Sequence, residues 1–188
     1  MKQIIIDSVK KIAKDFNIEA EAVMTFIDVE TGGKGFNDDG KIIIQFEPAW
    51  FRKMTQYAPS GKWSLNKVDV QSKEWEAFNN AFSINADGAM MATSIGLGQI
   101  MGFHYRTLGY KTVGEMWDDA KISLDRQIWQ IFAFIASNSK LLNGLNRHNW
   151  DAVATNYNGA GYKALAKKIG REAYDISLMK AYKKYKAV

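Results

Sequence analysis

One carboxylate stands where the hydropathy pattern asks for a core residue. In the run FIDVETGGKGF, Phe26–Phe36, Glu30 completes the i, i+3, i+4, i+7 set begun by Val23, Phe26 and Ile27, and Thr31-Gly32-Gly33 follows at once. Seven residues advance a helix by about two turns, so Glu30 falls nearly under Val23. Burial disfavours an ionised carboxylate, and so does the partial negative charge at a helix C-terminus. Both effects favour a carboxylic acid that stays protonated near neutral pH, the state a general acid needs. The same pattern fits a glutamate at a helix rim that turns to water.

Cleavage of a glycosidic bond commonly pairs such an acid with a second carboxylate. Glu47 is the candidate. Lys41–Phe46 alternates as a strand, with Ile43, Gln45 and Glu47 on one face and Ile42, Ile44 and Phe46 on the other. Glu47 equally fits a cap for the helix that Pro48 opens, and Asp38 and Asp39 fit the turn Asn37-Asp38-Asp39-Gly40. The segment TSIGLGQIMGFHY, Thr93–Tyr105, sets Ser94 and Gln99 beside Leu97, Ile100 and Met101. Hydroxyl and amide groups next to an apolar ledge suit a sugar, and Gly96 and Gly98 let backbone approach a ligand closely. A tight turn between helices would read the same way. In NYNGAGY, Asn156–Tyr162, Tyr157 can bring its phenol to a polar partner while its ring packs, and Asn158-Gly159 signals a turn.

Other chemistries lack their residues. There is no cysteine, and the two histidines, His104 and His148, lie far apart in the chain, which leaves no zinc ligand set. No P-loop, dinucleotide fingerprint or G-x-S-x-G is present. Neither a metal nor a cofactor is expected.

The elements that must position these groups are mostly helical. Residues 2–15 pattern as a helix with Ile4, Ile5, Val9 and Ile12 on one side, and Asn17 can cap a second helix over Ile18–Thr31. A short hairpin closes at Asn37–Gly40, and Glu47-Pro48 starts a helix to about Gln56. Residues 57–71 read as loop. Ser72 caps a helix through Ile84 with Trp75, Phe78 and Phe82 on one face, and Asp87 caps a short one after it. Thr112-Val113-Gly114-Glu115 fits a capping box. Ser123–Ser137 turns Leu124, Ile128, Ile131, Phe132 and Ile135 inward, and three further helices fit near 149–157, 161–169 and 172–185.

The 188 residues, 47% hydrophobic and 13% aromatic, suit one globular domain with a real core and no repeat, linker or low-complexity segment. Without cysteine the fold does not depend on an oxidising compartment. The N-terminal MKQIIIDSVKKIAKDF is broken by Asp7, Lys10, Lys11 and Lys14 and is no signal peptide, and no run approaches the ~18 apolar residues of a membrane span. The net charge of +5 is compatible with nucleic acid, an anionic membrane or an anionic wall, and equally with a soluble basic surface. Lys163, Lys167, Lys168, Arg171, Lys180, Lys183, Lys184 and Lys186 gather near the C-terminus. They could meet lipopolysaccharide, wall polymers or solvent; a basic helical nucleic-acid module is the remote reading.

Three pieces in one order, VETGG, ATSIGLGQIMG and NYNGAGY, resemble the lytic transglycosylase and goose-type lysozyme superfamily. The resemblance is closer to one branch, the N-acetylmuramidase domain of phage endolysins. It rests on Val29–Phe36 (VETGGKGF), Asp39-Gly40, Phe46-Glu47, Ser94–Gly102 (SIGLGQIMG) and Tyr157–Tyr162 (YNGAGY), and covers about residues 20 to 185. Ile95 and Gly98 stand where that branch carries aromatics, Thr31 keeps the hydroxyl of a serine, and Gly102 stands where many transglycosylases have proline.

The resemblance implies a mainly α, lysozyme-like α+β fold, a helical bundle with one small β-hairpin beside the active-site groove. It implies cleavage of the β-1,4 bond between N-acetylmuramic acid and N-acetylglucosamine in bacterial peptidoglycan, with Glu30 protonating the leaving oxygen. Glu47 becomes the expected second carboxylate, and Thr31, Gln45, Ser94, Gln99, Met101, Tyr157 and Asn158 the substrate-binding residues. A lytic transglycosylase would use the same Glu30 without a second carboxylate. The expected biology is a monomeric endolysin of one catalytic domain, 1–188, with no separate wall-binding module. It would build up in the host cytoplasm and reach the wall through a holin-made lesion.

Overall fold

The computed structural model describes residues 1–56, 62–64 and 70–187. In chain order these form α1 (Gln3–Phe16), α2 (Ala20–Thr31), β1 (Ile44–Phe46), α3 (Pro48–Thr55), α4 (Gln71–Ile84), α5 (Ala86–Met91), β2 (Thr93–Ile95) and β3 (Ile100–Met101). Then follow α6 (Val113–Ile122), α7 (Leu124–Ser137), α8 (Ser139–Asn146), α9 (Trp150–Asn158), α10 (Tyr162–Lys168) and α11 (Tyr174–Lys186), with short 3-10 turns at Lys62–Ser64 and Gly102–His104. The fold is mainly helical with one small antiparallel sheet, as expected. The chain divides into two compact units, one of Met1–Gly33 with Ile131–Val188 and one of Lys34–Gln130.

In the first unit α2 is the central helix. Ala22, Val23, Met24, Thr25, Phe26 and Ile27 are buried consecutively, so its early turns are covered on every side rather than along one stripe. Only from Asp28 does the helix become half-exposed. α11 packs along α2 and α9, burying Leu178 and Ala181. α1 buries Ile5, Val9, Ile12 and Ala13, while Ile4, expected inward, is 64% exposed. Asn17 does not cap α2. It ends α1 in the left-handed conformation, φ 52°, with its N–H on the carbonyls of Ala13 and Lys14, a role asparagine tolerates. α8 was not expected; Asn138 caps it, accepting from the N–H of Leu141 at 3.0 Å.

The C-terminal cations are more committed than their clustering suggested. Lys186 and Tyr182 both donate to Glu19 Oε1 at 2.8 and 2.9 Å, and Lys184 reaches Asp28 at 3.1 Å, so α11 is tied to both ends of α2. Lys163 pairs with Asp151 and Asp175, and Lys180 with Glu172. Among the described residues no ion pair holds Lys167, Lys168, Arg171 or Lys183.

In the second unit the sheet runs β1-β2-β3, with Ile44 opposite Ile95, Gln45 opposite Ser94 and Phe46 opposite Thr93, and Ser94 opposite Met101. Two of its three strands, β2 and β3, come from the segment Thr93–Tyr105, where no strand was expected. The turn at Asn37–Gly40 is closed by a bridge between Phe36 and Ile42. The free edge of β1 is covered by α4. Gln71 takes the N–H of Ile44 on Oε1 at 2.9 Å and gives Nε2 to its carbonyl at 2.8 Å, in the manner of a neighbouring strand. Glu74, 6% exposed, accepts from the N–H of Phe46 at 2.9 Å. An edge paired in this way cannot recruit another chain.

Thr112 caps α6 as expected, and the return bond of the capping box falls one residue early. Thr112 Oγ1 accepts from Glu115 N at 3.1 Å, and Glu115 reaches back to Lys111 N at 2.8 Å. Two other expected caps do not form: Asn85, not Asp87, caps α5, and α4 begins at Gln71 with no side-chain cap from Ser72. Of the expected loop 57–71, residues 57–61 and 65–69 lie outside the described residues.

Gln71→Ala should strand the Ile44 amide and cost about 1–3 kcal/mol, several degrees of Tm for a chain of this size. Ser72→Ala should melt with the parent. Thermal melts that rank the two variants equally would contradict the edge-cover role.

Candidate active site

Glu30 stands in the last turn of α2, just where that helix leaves the core. Gly32 ends the helix in the left-handed conformation, φ 60°, donating to Asp28 O at 3.0 Å. Glycine adopts this backbone without strain, so the helix stops one turn past its buried part. The carboxyl of Glu30 accepts hydrogen bonds from two tyrosine hydroxyls, Tyr174 at the start of α11 and Tyr157 near the end of α9. The two rings stack at 6.2 Å with planes 17° apart. Phe26, one turn back on α2, meets Tyr157 edge-on at 4.6 Å, and Phe134 meets it at 6.1 Å.

Electrostatics follow from this packing. Burial pushes the Glu30 carboxyl up to about 7, against the two tyrosine bonds that pull it down. Burial and the neighbouring Glu30 charge hold both phenols well above their ordinary value of 10.0. They therefore remain donors at any working pH. A carboxyl poised near neutrality can give up a proton at the pH where it works. Thr31 turns its hydroxyl back to Ile27 O at 3.4 Å within the helix, and Asn158 is exposed at the end of α9.

The second unit gathers another set of the expected residues. Gln45 and Glu47 share one face of the β1 segment, and Gln45 Nε2 donates to Glu47 Oε1 at 2.9 Å. Burial raises the Glu47 carboxyl above its usual range, with the Gln45 bond opposing. Across the ladder, Ser94 donates to Gln99 Oε1 at 2.9 Å, and Gln99 Nε2 donates to Gly96 O at 2.9 Å. Gln99 itself is left-handed, φ 46°, and its amide braces the β2–β3 turn. Met101 is half-buried at the end of β3.

Sequence reasoning missed two residues here. Gln127, fully enclosed on α7, takes the N–H of Leu97 at 2.8 Å and donates to Ala120 O at 2.8 Å. A Cβ on Gly96, φ 65°, would lie 2.8 Å from its Oε1, so that glycine makes room for Gln127. Tyr174 is the other. Its signal was the spacing Tyr174, Leu178, Ala181, which puts the phenol on the packed face of α11. Among the described residues no group of three or more His, Asp or Glu side chains could hold a metal ion.

Compared with known protein families, residues 19–186 match the N-acetylmuramidase family. The chain belongs to that family. Its members degrade peptidoglycan, and so does this enzyme. Among solved structures it is similar to an endolysin of the Burkholderia phage AP3, at 26% identity and a TM-score of 0.82 over 97% of this chain and 70% of that one. A comparison with curated proteins finds no match.

Because Tyr174 stabilises the ionised form of Glu30, Tyr174→Phe should raise the titration midpoint of Glu30 above about 7. Carbon-13 NMR of the side-chain carboxyl reads this directly. A midpoint that stays put or falls would mean the hydroxyl does not act on Glu30.

Proposed function

We propose that this muramidase is a bacteriolytic endolysin that hydrolyses the β-1,4 bond between N-acetylmuramic acid and N-acetylglucosamine, with Glu30 as general acid. The observation that carries the reading is a single carboxyl held up to about 7 by burial, at the end of a central helix, with two tyrosine donors fixing its orientation. In the ground state the protonated carboxyl faces the glycosidic oxygen. As the bond breaks, its proton passes to the leaving oxygen, and the carboxylate left behind is stabilised by Tyr174 and Tyr157. The tyrosine bonds therefore strengthen as charge develops, which is where binding energy lowers a barrier.

Glu47 is assigned to the water that completes hydrolysis, steadied by Gln45. Thr31, Gln45, Ser94, Gln99, Met101, Tyr157 and Asn158 are assigned to the glycan strand. Ser94 and Gln99 act chiefly by bracing the turn that presents Met101. The alternative reading is a lytic transglycosylase, which would use the same Glu30 and needs no second carboxylate, since the sugar's own 6-hydroxyl attacks.

The likeness to a phage endolysin supports synthesis in the host cytoplasm and action on the wall after holin-dependent release. Among the described residues no helix is long and apolar enough to cross a membrane. We assign Lys167, Lys168, Arg171 and Lys183, which hold no ion pair among the described residues, to anionic wall or outer-membrane polymers, and nucleic acid to no role; the working form is a monomer without a cofactor.

Glu30→Gln should fold normally and lose about 10²–10⁴ of its lytic rate, the usual share of a general acid. Mass spectrometry of digested peptidoglycan should show reducing ends. Lysis near the parental rate would remove Glu30 from the chemistry, and 1,6-anhydro ends would establish the transglycosylase instead.

A further inference from the structure

Trp75 on α4 stands where three clefts of the second unit meet. One, about 460 Å³, is polar, with Asn37, Ser72 and Asn79 along it. A second, about 380 Å³, is aromatic, with Phe78, Phe82 and Trp117 around the indole. A third, about 260 Å³, runs between Phe36 and Ile42. Asn79, Lys41 and Lys121 each line two of the three, so the clefts join into one furrow around Trp75. None of Gln45, Glu47, Ser94, Gln99 or Met101 lines any of them.

Three features define what the furrow fits. Its floor is aromatic: Phe78 stacks on Trp117 at 4.7 Å, Trp75 meets both edge-on, and Phe82 continues the row while 43% exposed. Its cations are cancelled, because Lys41 pairs with Asp39 at 3.3 Å and Lys121 with Asp118 at 3.0 Å. A polyanion therefore gains little there. Finally, its edge is polar, with the side chains of Asn37, Ser72 and Asn79 along it. An uncharged molecule with an apolar face and a rim of hydroxyl and acetamido groups meets all three conditions. A volume of several hundred Å³ suits a few sugar rings.

We propose that this furrow is a second binding site for N-acetylated glycan strands, one that holds wall polymer without cutting it. The choice of ligand rests on the peptidoglycan reading above. The sugar ring lies on Phe82 and Trp75, with Asn79, Asn37 and Ser72 at its polar edge. Such a site would keep the enzyme on insoluble wall between cleavage events.

The test uses the full chain carrying Glu30→Gln, so binding is read where cleavage is off, and uses the N-acetylglucosamine tetramer as probe. The Trp75 indole signal in proton–nitrogen NMR, identified by its loss in Trp75→Phe, should shift on titration together with the Asn79 side-chain amide. Phe82→Ala and Asn79→Ala, both at exposed positions, should together weaken that titration by about fivefold or more. Indole and amide signals that stay still at saturating tetramer overturn the proposal. So does a titration that the double variant leaves unchanged. Loss of lysis in Glu30→Gln is a separate measurement, so failure of the catalytic reading and failure of this site are told apart.

Discussion

Two tyrosine hydroxyls, from α9 and α11, converge on one carboxyl at the end of α2, and that convergence dictates how the first unit is arranged. A carboxyl in such a place is costly to ionise. Its ordinary value is 4.5 and burial lifts it to about 7, so as pH rises through that interval the unfolded chain ionises first and the fold loses stability. The rest of the unit offsets this. α2 is covered on all sides before it delivers Glu30, and α11 is anchored by Glu19 and Asp28 so that Tyr174 arrives in register. Structural strength is spent far along both helices to keep one weakly acidic group in place.

The second unit solves a different problem, how to hold a three-residue strand still. β1 is too short to be stable alone. It gains β2 on one side and, on the other, the side chains of Gln71 and Glu74 in place of a strand. Gln127 does for the β2–β3 turn what Gln71 does for β1: a side-chain amide supplies the partners that backbone lacks. Two glutamines, the half-buried Gln71 and the buried Gln127, thus hold this unit's short strands and turn in place.

Much of this was legible in the sequence where local physics decides. The capping box at Thr112, the long apolar helix near 124–137 and the carboxylate on the α2 stripe follow from spacing within a few turns. The choice of cap was harder: Asn17 and Asn85 are both good caps, and only the path of the chain determines which helix end each one serves. β2 and β3 were hidden because a strand of two or three residues has no period to detect; β2 is fixed by pairing with β1, some fifty residues earlier, and β3 by pairing with β2. Spacing could place Tyr174 on a packed face, but neither its partner nor that of Gln127 could be read, since each acts on a residue distant in sequence. The five motifs in order pointed to the muramidase family more firmly than any single residue pointed to its role.

The central claim is that the carboxyl held by Tyr157 and Tyr174 is the proton donor. The pH dependence of kcat on a soluble peptidoglycan fragment tests it most directly. The account predicts a rate that falls on the alkaline side with a midpoint near 7, where Glu30 loses its proton. A rate that is flat from pH 6 to 9, or that rises through that range, would contradict it.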